Sequence, residues 1–263
     1  MELTILQSII FGIVQGVTEF LPISSSGHLV LAQYFLGVPE LQVSFFVALH
    51  VGSLGAVVLY FWRDWFNIFH IKKDMEIYQK NPRLLLYIIV ATIPAVIVGL
   101  LFGDKAESVI FGPIVTTVLI TVGSFILFLA DKFFTRDKSL EDVNIKNSII
   151  IGLAQMIALV PGVSRSGMTI SGARVCKFNR EDAARFSFLI STPIIAGAGL
   201  MLLLDWSGDF NTSMLIGIIA SFVASFATIH YFLAWIKKVS YAVFLYYSLG
   251  LLVFVTLTSI FIK

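Results

Sequence analysis

The chain has 263 residues, of which 58% are hydrophobic and only 13% charged, with a mean hydropathy of +0.93. Soluble domains carry about 25% charged residues, so a soluble fold is excluded and an integral membrane protein is indicated. A net charge of +2 is too small to suggest nucleic acid as a partner, and a single cysteine, Cys176, excludes an intrachain disulfide framework and a Cys-rich metal site.

The first apolar stretch, residues 3–14, is too short to cross a bilayer, which takes about 20 helical residues. It runs into "EFLPISSSGHL" at 19–29, and a second short helix is predicted over 24–36. Short apolar runs flanked by breakers predict a re-entrant hairpin. Full spans are predicted at 42–62, 84–103 and 108–130. The pattern then recurs: a short apolar segment at 147–160, "PGVSRSG" at 161–167, a short helix at 164–175, and spans at 184–204, 213–236 and 241–262. Tyr60, Trp62, Trp65, Trp206 and Trp235 lie near span ends, where amphipathic aromatics favour the headgroup region.

The two halves resemble each other at an offset of 140: "SIIFGIVQ" at 8–15 matches "SIIIGLAQ" at 148–155, and "SSSG" at 24–27 meets "SRSG" at 164–167. Eight of the twenty positions from 8 to 27 are identical to their counterparts. The expected fold is therefore all-α, with six transmembrane helices plus two re-entrant helical hairpins in one membrane domain, 1–263. Its halves are about 1–131 and 141–263. Three spans per half is an odd number, so the repeat is expected to be of inverted topology, an arrangement that builds polar sites at the bilayer midplane.

Loops 63–83, 131–147 and 172–185, with Lys237 and Lys238, hold fifteen basic residues, against Lys105 and Lys263 on the other side. By the positive-inside rule the fifteen face the cytoplasm and both termini lie outside. The two hairpins then enter from opposite faces and their tips can meet. The loops themselves are expected to be solvated.

The chemistry gathers at those tips. Pro22 and Pro161-Gly162 break the chain, and Ser24 and Ser164 are placed to cap the helices that follow. Two helix N-termini aimed into one cavity suit an anion, phosphate above all. Arg165 adds a planar fork that matches phosphate oxygens. Around the first tip, Ser25 and His28 can form a nucleophile–base pair. Glu19 can fix the imidazole tautomer or hold a divalent cation. Plainer readings stand beside these: serines that only satisfy backbone, Arg165 merely paired with Glu19, and Gln15 and Gln155 bonding the broken chain. His50, in mid-span, is either functional or a neutral ring bonded to a neighbouring helix. "GVSRSGM" at 162–168 is not a phosphate-binding P-loop, because Met168 stands where lysine is needed.

"QGVTEFLPISSSGHL" at 15–29 and "PGVSRSGMTISG" at 161–172 together resemble the bacterial undecaprenyl-diphosphate phosphatase family, also called bacitracin-resistance proteins. The resemblance spans essentially the whole chain. It implies removal of the terminal phosphate of a C55 polyprenyl diphosphate, which recycles a cell-envelope lipid carrier. It places Glu19, Ser25, His28 and Arg165 in the catalytic set, with Gln15 where the family often has an acid. Gln15, Ser24, Ser26, Gly27, Ser164, Ser166 and Gly167 are the expected substrate-binding residues. The resemblance also implies assistance by Mg2+ or Ca2+, with Glu19 the candidate ligand. It further implies a place in the bacterial inner membrane with the site opening outward. Expected partners are the polyprenyl diphosphate, membrane lipid and, as one alternative, a second copy of the chain. The repeat alone leaves a second function open, a polyprenyl-phosphate carrier or flippase.

Overall fold

The structure is a computed structural model, and it describes residues 3–38, 43–69, 74–107, 111–134, 137–204 and 210–261. In chain order the helices are α1 (Ile5–Phe20), α2 (Ser25–Leu36), α3 (Val43–Tyr60), α4 (Trp62–Ile68), α5 (Glu76–Lys80), α6 (Leu84–Glu107) and α7 (Pro113–Phe133). After a 3-10 turn at Leu140–Asp142 come α8 (Ile145–Ile157), α9 (Arg165–Val175), α10 (Arg180–Leu204), α11 (Thr212–Ile236) and α12 (Ala242–Phe261). Five of them are long and apolar enough to cross a membrane, and α3 with α4, bent by 67°, makes a sixth. The expected all-α membrane class holds. Trp206, Lys72, Lys73, Arg136, Lys263 and the side chain of Lys105 lie outside the described residues.

Of the boundaries that differ from the sequence reading, two bear on the site and its surroundings. Helix α1 continues past residue 14 to Phe20, because Gln15, Thr18 and Glu19 are polar yet buried and the stop comes only before Pro22. Helix α10 begins at Arg180 rather than 184. Asn179 caps it by accepting from the Asp182 N–H at 2.9 Å, and Glu181 and Asp182 complement the dipole of the first turn. Hydropathy marks where a helix is greasy, not where its hydrogen bonds end.

The hairpin arms are held by close backbone contact. Helix α1 packs on α11 through Gly12 and Gly16, a small-residue spacing of four. A Cβ on Gly12 would lie 2.5 Å from the Gly217 carbonyl oxygen, and one on Gly16 would lie 2.5 Å from that of Ser221. Beside this seam Ser53, Ser221 and Ser225 join their hydroxyls at 3.0 Å. Helix α8 packs on α6 in the same manner: a Cβ on Gly152 would meet the Ala91 oxygen at 2.8 Å. Next to it Gln155 Nε2 donates to that same Ala91 carbonyl at 3.1 Å. Thus each hairpin's first arm leans on a span of the other half, while α3 meets α10 and α7 meets α12. Phe20, Phe61, Phe188, Phe232 and Phe244 form a chain of ring contacts through the centre of the core.

The expectation of solvated loops is overturned at one end of the bundle. Arg174 is fully buried and donates Nε to Asp131 Oδ1 at 3.1 Å, and Arg180 grips both Asp131 oxygens at 2.9 and 2.7 Å. Ser240 adds a hydroxyl at 2.9 Å, so Asp131 ties together α7, α9, α10 and the start of α12. A second knot forms where Arg185 of α10 and the Tyr78 hydroxyl of α5 both donate to Asp64 of α4. Burial pushes the Tyr78 hydroxyl well above its ordinary value, with Asp64 adding to the effect, so Tyr78 stays a donor. A buried cation survives only with a fixed counter-charge, and single-sequence inspection cannot pair charges more than forty residues apart.

Candidate active site

The turn between α1 and α2 bends at Pro22 and passes through Ser24, whose φ of 71° is unusual for a side-chain-bearing residue. Ser24 Oγ accepts from the Gly27 N–H at 3.3 Å and so caps the new helix. Ser164 caps α9 identically, accepting from Gly167 N–H at 3.0 Å. The first N–H groups of both helices have no intrahelical acceptor, which leaves positive dipole ends at both turns. The tips touch: Ser166 Oγ donates to the Leu21 carbonyl at 2.9 Å.

At their meeting point lies Glu19, 6% exposed. Its Oε1 accepts from Arg165 Nη2 at 2.5 Å. Its Oε2 accepts from Ser25 Oγ at 2.6 Å and from Gln15 Nε2 at 3.0 Å, and lies 3.5 Å from His50 Nε2. The i, i+4 spacing of Gln15 and Glu19 on one helix makes their contact automatic. The His50 Nδ1 lies 2.8 Å from the Phe46 carbonyl, and a carbonyl can only accept, so Nδ1 carries a hydrogen. The other ring nitrogen, Nε2, is the one that faces Glu19. Arg165 Nη1 and Gln15 Oε1 are buried without a partner among the described residues. A guanidinium with an unused donor, next to two helix N-termini, is a receptor for anionic oxygen.

The expected Ser25–His28 pair is not formed. Ser25 gives its hydrogen to Glu19, while His28 sets Nδ1 2.8 Å from the Ser24 carbonyl and Nε2 2.7 Å from the Tyr247 hydroxyl. Among the expected substrate-binding residues the roles divide. Ser26 is exposed with a hydroxyl near Ser24, whereas Ser166 spends its hydroxyl on Leu21. Gly27 serves packing, since a Cβ there would lie 2.8 Å from Ile120 of α7. A Cβ on Gly167 would likewise lie 3.0 Å from that of Ser164. Gln15 bonds Glu19 rather than broken backbone, and Gln155 bonds the backbone of α6 beside Pro94.

Among the described residues no three His, Cys, Asp or Glu side chains are grouped to hold a metal ion. Glu19 already accepts on both oxygens, and a cation seated there would face Arg165. The residues present do not fit a resident Mg2+ or Ca2+, which requires several oxygen ligands.

Sequence inspection missed Tyr247 entirely, because a tyrosine in "FLYYSLG" looks like any lipid-facing aromatic. His50 carried a signal, being an ionisable group in mid-span, but nothing pointed to Glu19 as its partner.

A family model described as bacitracin resistance protein BacA matches residues 8–254 of the chain. An undecaprenyl-diphosphatase of Desulforudis audaxviator is 42% identical over 252 residues, covering 95% of this chain and 96% of that protein. One of Moorella thermoacetica is 41% identical over 248 residues, covering 94% and 95%. One of Gemmatimonas aurantiaca is 41% identical over 265 residues, covering 98% and 99%.

Proposed function

We propose that this chain, which belongs to the bacitracin resistance protein BacA family, hydrolyses undecaprenyl diphosphate to undecaprenyl phosphate and inorganic phosphate. The observation that carries the reading is the hydrogen-bonded series Ser25–Glu19–Arg165 at the contact of two capped helix N-termini. Arg165 turns to the phosphoryl oxygens through Nη1, and the helix ends supply further donors. Ser25 Oγ attacks the terminal phosphorus, its proton passes to Glu19, and the anhydride P–O bond breaks to release undecaprenyl phosphate. Water then attacks the phosphoserine with His28 as base, the Oγ–P bond breaks as Glu19 returns its proton to Ser25 Oγ, and inorganic phosphate leaves. A divalent cation, Mg2+ or Ca2+, belongs in this reading to the substrate, as the counter-ion of its diphosphate.

The surrounding architecture is read as an inverted repeat, halves about 1–131 and 141–263. The reciprocal leaning of α1 on α11 and α8 on α6 supports it. The same reciprocity favours a second reading, transport of a polyprenyl phosphate by the same scaffold. The protein resides in the bacterial inner membrane with both termini and the site facing outward, in keeping with the distribution of basic residues. Phosphate release from undecaprenyl or farnesyl diphosphate by the purified, detergent-solubilised protein tests the enzymatic reading. Binding of the lipid without phosphate release would leave the carrier reading in its place.

A further inference from the structure

Helix α4 turns 67° away from α3 after Phe61. Along it and its C-cap residue, Trp62, Trp65, Phe66 and Phe69 recur at i, i+3, i+4 and i+7, which is one face of a helix. Asp64, Asn67 and Ile68 are buried in the bundle instead. The aromatic face walls a groove of about 450 Å³ whose other sides come from α3, α6 and α10, with Ile89 and Ala196 among the lining residues. That volume falls in the class of small-molecule sites, roughly 300–1,000 Å³. Its exposed walls are wholly apolar. Thr192, which also lines it, donates its hydroxyl to the Phe188 carbonyl at 3.4 Å. The interior therefore suits hydrocarbon and nothing that needs a hydrogen bond. The rim differs. The Arg63 guanidinium lies over the Trp62 ring, 5.1 Å from its centroid, and exposed Arg83 stands two residues before Leu85, which lines the groove. The neighbouring carboxylates are engaged elsewhere: Asp64 is buried with Arg185 and Tyr78, and Asp74 accepts from Asn67 on the buried side of α4.

We propose that this groove holds one acyl chain of an anionic glycerophospholipid, whose phosphate is received by Arg63 and Arg83. Indole rings favour the boundary between headgroups and hydrocarbon, and a helix lying across the end of a span turns its apolar face to that boundary. Guanidinium groups beside it match phosphate oxygens. A zwitterionic lipid offers the same chain but sets an ammonium against two arginines, so net headgroup charge decides between the two. The groove is shared by α3, α4 and α6 of the first half and α10 of the second. A seated chain therefore braces the halves against each other beside Pro193, where α10 lacks a backbone donor. None of the lining residues belongs to the hairpin tips, so the inference stands apart from the phosphatase reading.

The test uses the full chain in detergent micelles, with Trp206→Phe and Trp235→Phe leaving Trp62 and Trp65 as the fluorophores. Phosphatidylglycerol brominated on its acyl chains should quench them saturably as it is titrated into the micelles. Phosphatidylcholine brominated in the same way should need about 10- to 30-fold more, about fivefold for each arginine. Arg63→Gln combined with Arg83→Gln should bring the two lipids to equal potency. Ala196→Phe, which fills the groove, should abolish saturable quenching by both. Should that variant not fold, the exposed arginine pair decides alone. Quenching that rises in proportion to lipid content and alike for both lipids would mean ordinary bilayer contact and overturn the proposal. Equal saturable quenching by both lipids in the wild-type groove would overturn the anionic headgroup. Absence of quenching by either would leave the groove to another occupant, such as a second copy of the chain. Displacement of the brominated lipid by undecaprenyl phosphate more readily than by unlabelled phosphatidylglycerol would assign it to a polyprenyl chain. Either result sinks the phospholipid site.

Discussion

Glu19 and Arg165 are separated by 146 residues and meet at 2.5 Å, each supplied by a different hairpin tip. The contact joins the only carboxylate at the two described turns to a guanidinium that keeps one buried nitrogen unpartnered. It is also where the chain's two similar motifs cease to be equivalent: at the offset of 140, Arg165 stands opposite Ser25, and Leu159 opposite Glu19.

Replacing Arg165 by lysine keeps the charge but not the fork that serves Glu19 and an incoming oxygen at once. Arg165→Lys is expected to lose about 10²–10³ in kcat, roughly 2.7–4 kcal/mol, comparable to removing one preorganised donor. The measurement is phosphate release at saturating lipid diphosphate, after intact folding has been checked by size-exclusion behaviour. Near wild-type turnover would remove the guanidinium clamp from the mechanism.

Ser25 and Glu19 share a hydrogen bond of 2.6 Å and are expected to act as a unit. Ser25→Ala and Glu19→Gln should each abolish most activity, and the double variant should be scarcely worse than either alone. Trapping phosphoserine at position 25 after rapid quench would identify the nucleophile directly. Additive losses would mean that the two side chains work independently.

Gly16 has no room for a methyl group, since a Cβ would press 2.5 Å from the Ser221 carbonyl oxygen. Gly16→Ala should destabilise the protein by about 1–3 kcal/mol despite the gain in helix propensity, and should displace Glu19 one turn away. Gly99→Ala, where nothing lies within 4 Å, is the control and should be neutral or slightly stabilising. Thermal unfolding in detergent compares the two.

Asp131 balances the fully buried Arg174 as well as Arg180. Asp131→Asn strands both cations and should cost about 3–5 kcal/mol, seen as a lowered melting temperature. Phosphatase activity of whatever fraction stays folded should be retained, because the cluster lies away from the hairpin tips.

Orientation is checked by single cysteines on a Cys176→Ser background. Gly112→Cys, exposed beside the start of α7, should react with an impermeant reagent added to intact cells. Lys146→Cys, exposed at the start of α8, should react only after the membrane is opened. The reverse pattern would turn the proposed topology over.

Much of this protein could be read from its residues. The helices, the two breaks and their capping serines follow from local rules: apolar length, proline, and a hydroxyl three residues before an N–H. Glu19 and Arg165 were conspicuous because charge in a membrane is expensive. The pairing of Arg165 with Glu19 was among the readings, but the other partnerships could not be read. Ser25 faces Glu19 rather than His28 because helix α1 runs on to Phe20 and brings the carboxylate to the turn. Tyr247 reaches His28 only through the packing of the last helix. Arg174, Arg180 and Arg185 looked like loop charges because their aspartates lie far off in the chain.

The carboxylate of Glu19 already resting on Arg165 has a consequence for turnover. An anion received at Nη1 shares the guanidinium with an internal rival at Nη2, so part of the cation's charge is already spent. A diphosphate makes up the difference through its lipid tail and second phosphate. Inorganic phosphate, small and free of any lipid tail, is held only weakly by a cation so neutralised. The resting ion pair is thus a built-in means of product release, and it should make the enzyme resistant to inhibition by the phosphate it liberates.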